Sequence, residues 1–139
     1  MKSCVALALV SFAASAQAMA AEALPLRSGY YVQRDTPCDK ASNATITLYD
    51  GASFGTAHSE CQKAVVRKLS DQAYELTQKC RDMQGQGGSW ETSKSNYSVQ
   101  SRTEFVETTR YGTFAFRFCE RSSLPDPWKS NDLSRHGIR

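Results

Sequence analysis

From Phe114 to Phe118, within the stretch Arg110-Tyr-Gly-Thr-Phe-Ala-Phe-Arg-Phe-Cys119, aromatic and non-aromatic residues alternate. Side chains on an extended strand point to opposite faces in turn. Phe114, Phe116 and Phe118 therefore line one face, and Thr113, Ala115 and Arg117 the other. Coiled as a helix, at about 100° per residue, the three rings would spread over roughly 200° of arc and form no apolar stripe. The pattern predicts a strand in a sheet buried on one side and wetted on the other.

Similar alternation recurs along the chain. Residues 29–34 read as a strand stopped by Asp35-Thr-Pro-Cys38, because Pro37 cannot donate to a ladder and restricts the residue before it. Residues 44–49 form a second strand with Ile46 and Leu48 on one face, followed by the turn pair Asp50-Gly51. Residues 52–60 are small and polar, a loop or a short strand. In 61–80, Cys61, Val65, Leu69, Ala73, Leu76 and Cys80 recur at helical spacing, whereas Val65, Val66, Tyr74 and Thr77 favour strands. A two-residue turn at Ser70-Asp71 would pair Val65 with Leu76 and Cys61 with Cys80. A helix would hold the same cysteines about 28 Å apart. The hairpin is the preferred reading.

Further on, 84–88 is a glycine-rich loop without the Lys-Ser/Thr ending of a phosphate-cradling loop. Residues 90–92 suggest a short strand. Residues 97–105 suggest a longer one that groups Tyr97, Val99 and Phe105 and bends near Ser101. Residues 107–110 would then turn the chain into the phenylalanine strand. The sum is an all-β domain over 21–121, a single small antiparallel barrel or sandwich of seven or eight strands, disulfide-stapled and with no helix beyond about two turns. A tail containing proline and tryptophan follows over 122–139.

Residues 1–20 carry the marks of a secretory signal: Lys2, an apolar core beginning at Val5, and small-x-small sites ending at Ala18 and Ala20. The apolar run falls short of the ~20 residues a membrane span needs, and no later segment approaches that length. Cleavage after Ala20 leaves 119 residues with 16 basic and 14 acidic side chains, a formal charge of +2. That balance is too even for a nucleic-acid surface. The alanine-rich signal makes the periplasm, or secretion, the expected destination. Cys4 departs with the signal.

Four cysteines then remain, an even count that reads as two disulfides in a small exported chain. The hairpin favours Cys61–Cys80, leaving Cys38–Cys119. The rival is Cys38–Cys61 with Cys80–Cys119. A zinc site is disfavoured by the compartment and by the lack of any Cys-x-x-Cys. Neither a cofactor nor a metal is expected. His58 and His136 are not ordered by sequence into a triad, and the carboxylates are scattered over turns. The sequons at Asn43 and Asn96 are read as chance matches. Adjacent Tyr30 and Tyr31 point to opposite faces, so one of them is expected at the surface. Trp128, between Pro125-Asp-Pro127 and a polar tail, either docks on the domain or anchors a partner.

Gly29-Tyr-Tyr-Val32, Asp35-Thr-Pro-Cys38, Ala41-Ser-Asn-Ala-Thr45, the cysteine hairpin and Ser123-Leu-Pro-Asp-Pro-Trp128 together resemble a group of small, uncharacterised exported proteobacterial proteins. That resemblance covers most of the mature chain and implies no activity. In architecture the chain is also similar to periplasmic lysozyme inhibitors. Their Ser-Gly-x-x-Tyr motif is matched by Ser28-Gly29 but carries Val32 at the tyrosine position. The expected function is a non-enzymatic binding module for a protein partner, such as a cell-wall hydrolase. The alternatives are an envelope-complex component or a small hydrolase. His58, Arg81, Trp90 and Trp128 are the candidate partner-binding residues.

Overall fold

The computed structural model describes residues 23–56, 58–85 and 87–138. The signal sequence assigned to 1–20 lies outside them. The strands are β1 (Gly29–Gln33), β2 (Ile46–Tyr49), β3 (Phe54–Gly55), β4 (Ser59–Cys61), β5 (Val65–Lys68), β6 (Ala73–Asp82), β7 (Glu91–Ser101), β8 (Glu104–Thr109) and β9 (Gly112–Cys119). Every pairing between them is antiparallel. Both β4 and β5 pair with β6, so they form two halves of one stave. The result is a nearly closed up-and-down barrel of eight staves, closed on one side by β9 against β1. Among the described residues the helical segments are short 3-10 turns.

The cysteine hairpin forms, with one difference in register. Cys61 faces Cys80, but Val65 faces Thr77 and Val66 faces Leu76. Lys63 and Ala64 together oppose Gln78, a bulge, because the Ala64 amide turns away to donate to the Ala52 carbonyl at 2.9 Å. The turn itself is longer than two residues, since the Leu69 amide donates to Ala73 at 2.8 Å. A one-residue slip exchanges faces. Val65 is accordingly exposed, and Val66 packs on the core.

At the seam between β3 and this stave the backbone ladder is incomplete. The buried Gln78 carboxamide completes it, accepting from the Phe54 amide at 2.8 Å and donating to the Phe54 carbonyl at 2.7 Å. The segment 97–105 is two strands rather than one bent strand. β7 and β8 meet at a turn over Arg102 and Thr103, with a bulge between Val99 and Ser101 and Val99 facing Phe105. Residues 107–109, expected to turn, are the upper part of β8. The short strand expected at 90–92 is the start of β7. Residues 52–60, expected as a loop or a short strand, contain β3 and the start of β4.

Alternation delivers Tyr31, Tyr49, Phe54, Tyr97, Phe105 and Phe116 to the interior, where Phe105 lies 5.0–5.5 Å from four other rings. Gly29 permits the edge of this cluster. Its φ is +143°, and a Cβ there would come within 2.5 Å of the Phe118 ring.

The opposite face of β1 is also covered, which sequence reading did not anticipate. Tyr30 and Tyr31 are both buried, at 4% and 0% exposure. The tail folds back over Tyr30, Val32 and Ile46 with Leu124, Trp128, Leu133 and Ile138, forming a second core. It is therefore no free polar tail, and Trp128 docks. Asn131 fixes the return by donating to the Tyr30 hydroxyl at 2.8 Å. The disulfides are Cys38–Cys119, with Cα atoms 5.8 Å apart, and Cys61–Cys80, at 4.1 Å. They are consistent with an oxidising compartment, secreted or periplasmic. Among the described residues no helix is long and apolar enough to cross a membrane.

Three phenols make the barrel sensitive to alkali. Burial raises the pKa of Tyr31 to about 12, and burial likewise raises those of Tyr49 and Tyr97 above the ordinary value of 10.0. In the unfolded chain they ionise near 10, so their contribution is complete below pH 10 and is lost as pH rises towards about 12. Phenolate absorbance and circular dichroism are expected to change together in one cooperative step above pH 10. Ionisation of all the tyrosines without loss of structure would contradict the buried placement.

Candidate binding site at the open end of the barrel

The two ends of the barrel differ. One is plugged by the segment before β1, where Leu24 and Leu26 enter the aromatic core. The Arg27 amide donates to the Arg102 carbonyl at 2.8 Å, and the Tyr31 hydroxyl reaches the carbonyls of Arg27 and Arg102 at 2.7 and 3.1 Å. The segment before β1 is thus a stopper for this end of the barrel.

The other end is surrounded by the β3–β4 connection, the β6–β7 loop and the β8–β9 turn. Here the inward-facing side chains change character along each strand. On β7 they run from Val99 and Tyr97 to Ser95 and Ser93, and on β8 from Phe105 to Glu107. Above the aromatic floor therefore opens a cup of about 370 Å³, whose wall mixes polar side chains with Ala44, Ile46 and Leu76. Among the described residues Glu107 is the one charged side chain lining it. The Tyr97 hydroxyl donates to the Glu107 Oε1 at 2.8 Å. Burial, then the neighbouring carboxylate, push the Tyr97 phenol well above its ordinary range, so it stays protonated and donating.

Three of the candidate residues named from sequence come together around this end. Ser59 faces Asp82 and Cys80 faces Glu91, which brings the neighbourhoods of His58, Arg81 and Trp90 onto adjoining strands. The Met83 amide donates to the His58 carbonyl at 2.8 Å, and the His58 ring lies 3.1 Å from the Asn43 amide nitrogen. Arg81 is internally engaged: its Nε donates to Glu60 at 2.7 Å and its guanidinium lies 4.9 Å from the Trp90 ring centre. A partner carboxylate would have to displace Glu60 to reach it. Trp128 stands apart, on the outer side of the β2–β4 wall. There it lines a groove of about 630 Å³ with Tyr30, Leu48, Asp50, Glu60 and Met83.

The rim carries exposed apolar side chains. Met83 is 50% exposed, Tyr111 77% and Phe114 37%. They lie at or beside the ends of β6, β8 and β9 at this end of the barrel, whereas the exposed Val65 and Leu69 lie in and just after β5, away from it. Arg110 places its guanidinium 4.7 Å above the Tyr111 ring. Sequence reasoning missed Glu107, Ser93, Ser95 and Tyr111 as site residues. The signal lay in one-faced alternation that turns from apolar to small and polar within a single strand. Among the described residues no three His, Cys, Asp or Glu side chains converge in the manner of a metal site. No protein-family model, curated protein or solved structure matches the chain.

Proposed function

We propose that this is an exported, periplasmic binding module that engages a protein partner through the open end of its barrel. A cell-wall hydrolase is the leading candidate for that partner. The observation that supports this most is that three of the exposed large apolar side chains, Met83, Tyr111 and Phe114, lie at the open end of the barrel. Exposed large apolar side chains gathered at one end of a small protein are the usual composition of an interface centre. Two disulfides and a plugged lower end make the rim a rigid platform, which limits the entropy lost on association. Binding rather than turnover is favoured by the partners of the titratable groups. The His58 ring meets an Asn43 amide and Glu107 meets a phenol, and neither pair activates a nucleophile.

A role as a structural envelope component through Trp128 is less favoured, because that ring packs against the second core. The test is a panel of lysozymes and lytic transglycosylases assayed for inhibition and binding. At least one is expected to bind at micromolar concentration or below. Tyr111→Ala and Met83→Ala should each weaken that complex about tenfold, the effect of truncating a central contact. If no hydrolase binds, or if both variants bind as the parent does, the rim is not the interface for this class.

A further inference from the structure

We infer that the cup seats a single cationic group, an ammonium or guanidinium, held by Glu107 over the aromatic floor. The inference concerns the cup itself and stands whatever partner the rim engages. Three features carry it. First, Glu107 is half-buried and, among the described residues, has no basic group within ion-pair distance; Glu91 and Glu104 share that lack, but of the three only Glu107 lines the cup. A recessed carboxylate is stabilised by an opposite charge, and among the described residues only its phenol neighbour donates a hydrogen bond to it.

Second, the rest of the wall is neutral, with Ser93, Ser95, Thr47 and Asn43 available to hydrogen-bond the remaining protons of such a group. Third, the buried rings of Phe105, Phe116 and Tyr97 floor the cup with apolar surface, against which the short stem of such a group can rest. The volume of about 370 Å³ lies at the small end of the usual range for ligand sites, roughly 300–1,000 Å³. It suits one charged head and a short stem rather than an extended chain. The cation can belong to a small free amine or to a lysine or arginine side chain of a bound protein. Both sources present the same chemistry to Glu107.

The experiment is an amide NMR titration of the oxidised protein with agmatine, glucosamine, Gly-Lys-Gly and Gly-Arg-Gly. N-acetylglucosamine and Gly-Gln-Gly serve as neutral counterparts. The cations are expected to bind with shifts centred on Ser93, Ser95, Tyr97 and Glu107, and the neutral compounds about tenfold more weakly or not at all. Tighter binding of the free amines assigns a small-molecule source, and tighter binding of the peptides assigns a partner's side chain. Glu107→Gln keeps the shape and the bond from Tyr97 but removes the charge, and should erase the preference for cations. Ser95→Leu keeps the charge and fills the cup, and should abolish binding with Glu107 still present. A carboxylate that served only to anchor Tyr97 would show no such discrimination. The inference is overturned if no cation shifts these amides at about 10 mM, or if cations and neutral compounds bind alike. It is equally overturned if Glu107→Gln retains the preference.

Discussion

Phe105→Ala is expected to destabilise the barrel by about 3–5 kcal/mol, the range for deleting a large buried aromatic side chain. Phe105 is 1% exposed and is the hub of the interior: Tyr31, Phe54, Tyr97 and Phe116 all lie within 5.5 Å of its ring centre. These rings come from β1, β3, β7 and β9, so no single hairpin can close over the void. Each of the four would lose contact on one side, and their attachment to separate staves limits collapse into the gap. Phe105→Leu retains most of the volume and should cost less than about 2 kcal/mol. Urea denaturation followed by circular dichroism measures both. Equal, small losses for the two variants would mean that the interior repacks freely and that the ring cluster is not what holds the staves together.

The parts of this fold legible in the sequence are those written as local alternation. Phe114, Phe116 and Phe118 specify β9 without help from the rest of the chain. The symmetry of Cys61 and Cys80 about a turn locates the hairpin, because a disulfide tolerates only short separations. The register slip at Lys63 and Ala64 was hidden, because its cause is a hydrogen bond to Ala52 from outside the hairpin. The turn between β7 and β8 carries no glycine, proline, asparagine or aspartate. Among the described residues no non-glycine residue has positive φ, so a turn at Arg102 and Thr103 needs none of the residues that usually announce one.

The second core was illegible for a different reason. Leu124, Trp128, Leu133 and Ile138 are separated by polar residues at no fixed period. Only the folded barrel, with Tyr30, Val32 and Ile46 outward on neighbouring strands, supplies the surface that gathers them. Glu107 escaped notice because its strand was read as a turn. A carboxylate at a turn is unremarkable, whereas one inside a barrel is not.

Removing the Cys38–Cys119 bridge with the double substitution Cys38→Ala/Cys119→Ala is expected to cost about 4 kcal/mol on the chain-entropy account. The bridge spans a sequence separation of 81, against 19 for Cys61–Cys80, for which the same account gives about 3 kcal/mol. Geometry reinforces the ordering. Cys61 and Cys80 face each other on adjacent strands whose register the backbone already holds. Cys38 instead lies in a 3-10 turn and is pinned by its sulfur to the end of β9. Cys119 is 1% exposed in the second core, and Arg117 spans the junction, with its guanidinium 2.9 Å from the Thr36 carbonyl and 3.0 Å from the Cys38 sulfur. Loss of the bridge should therefore loosen the 34–41 connection and, through the shared core, the tail above it. Against a stability of roughly 5–15 kcal/mol for a domain of this kind, the melting temperature should fall by about 15 °C. Limited proteolysis should then cut first within residues 34–41 and 122–138, while the Cys61→Ala/Cys80→Ala protein resists at those positions. A larger loss from the second pair than from the first would show that the local hairpin, and not the long closure, carries the constraint.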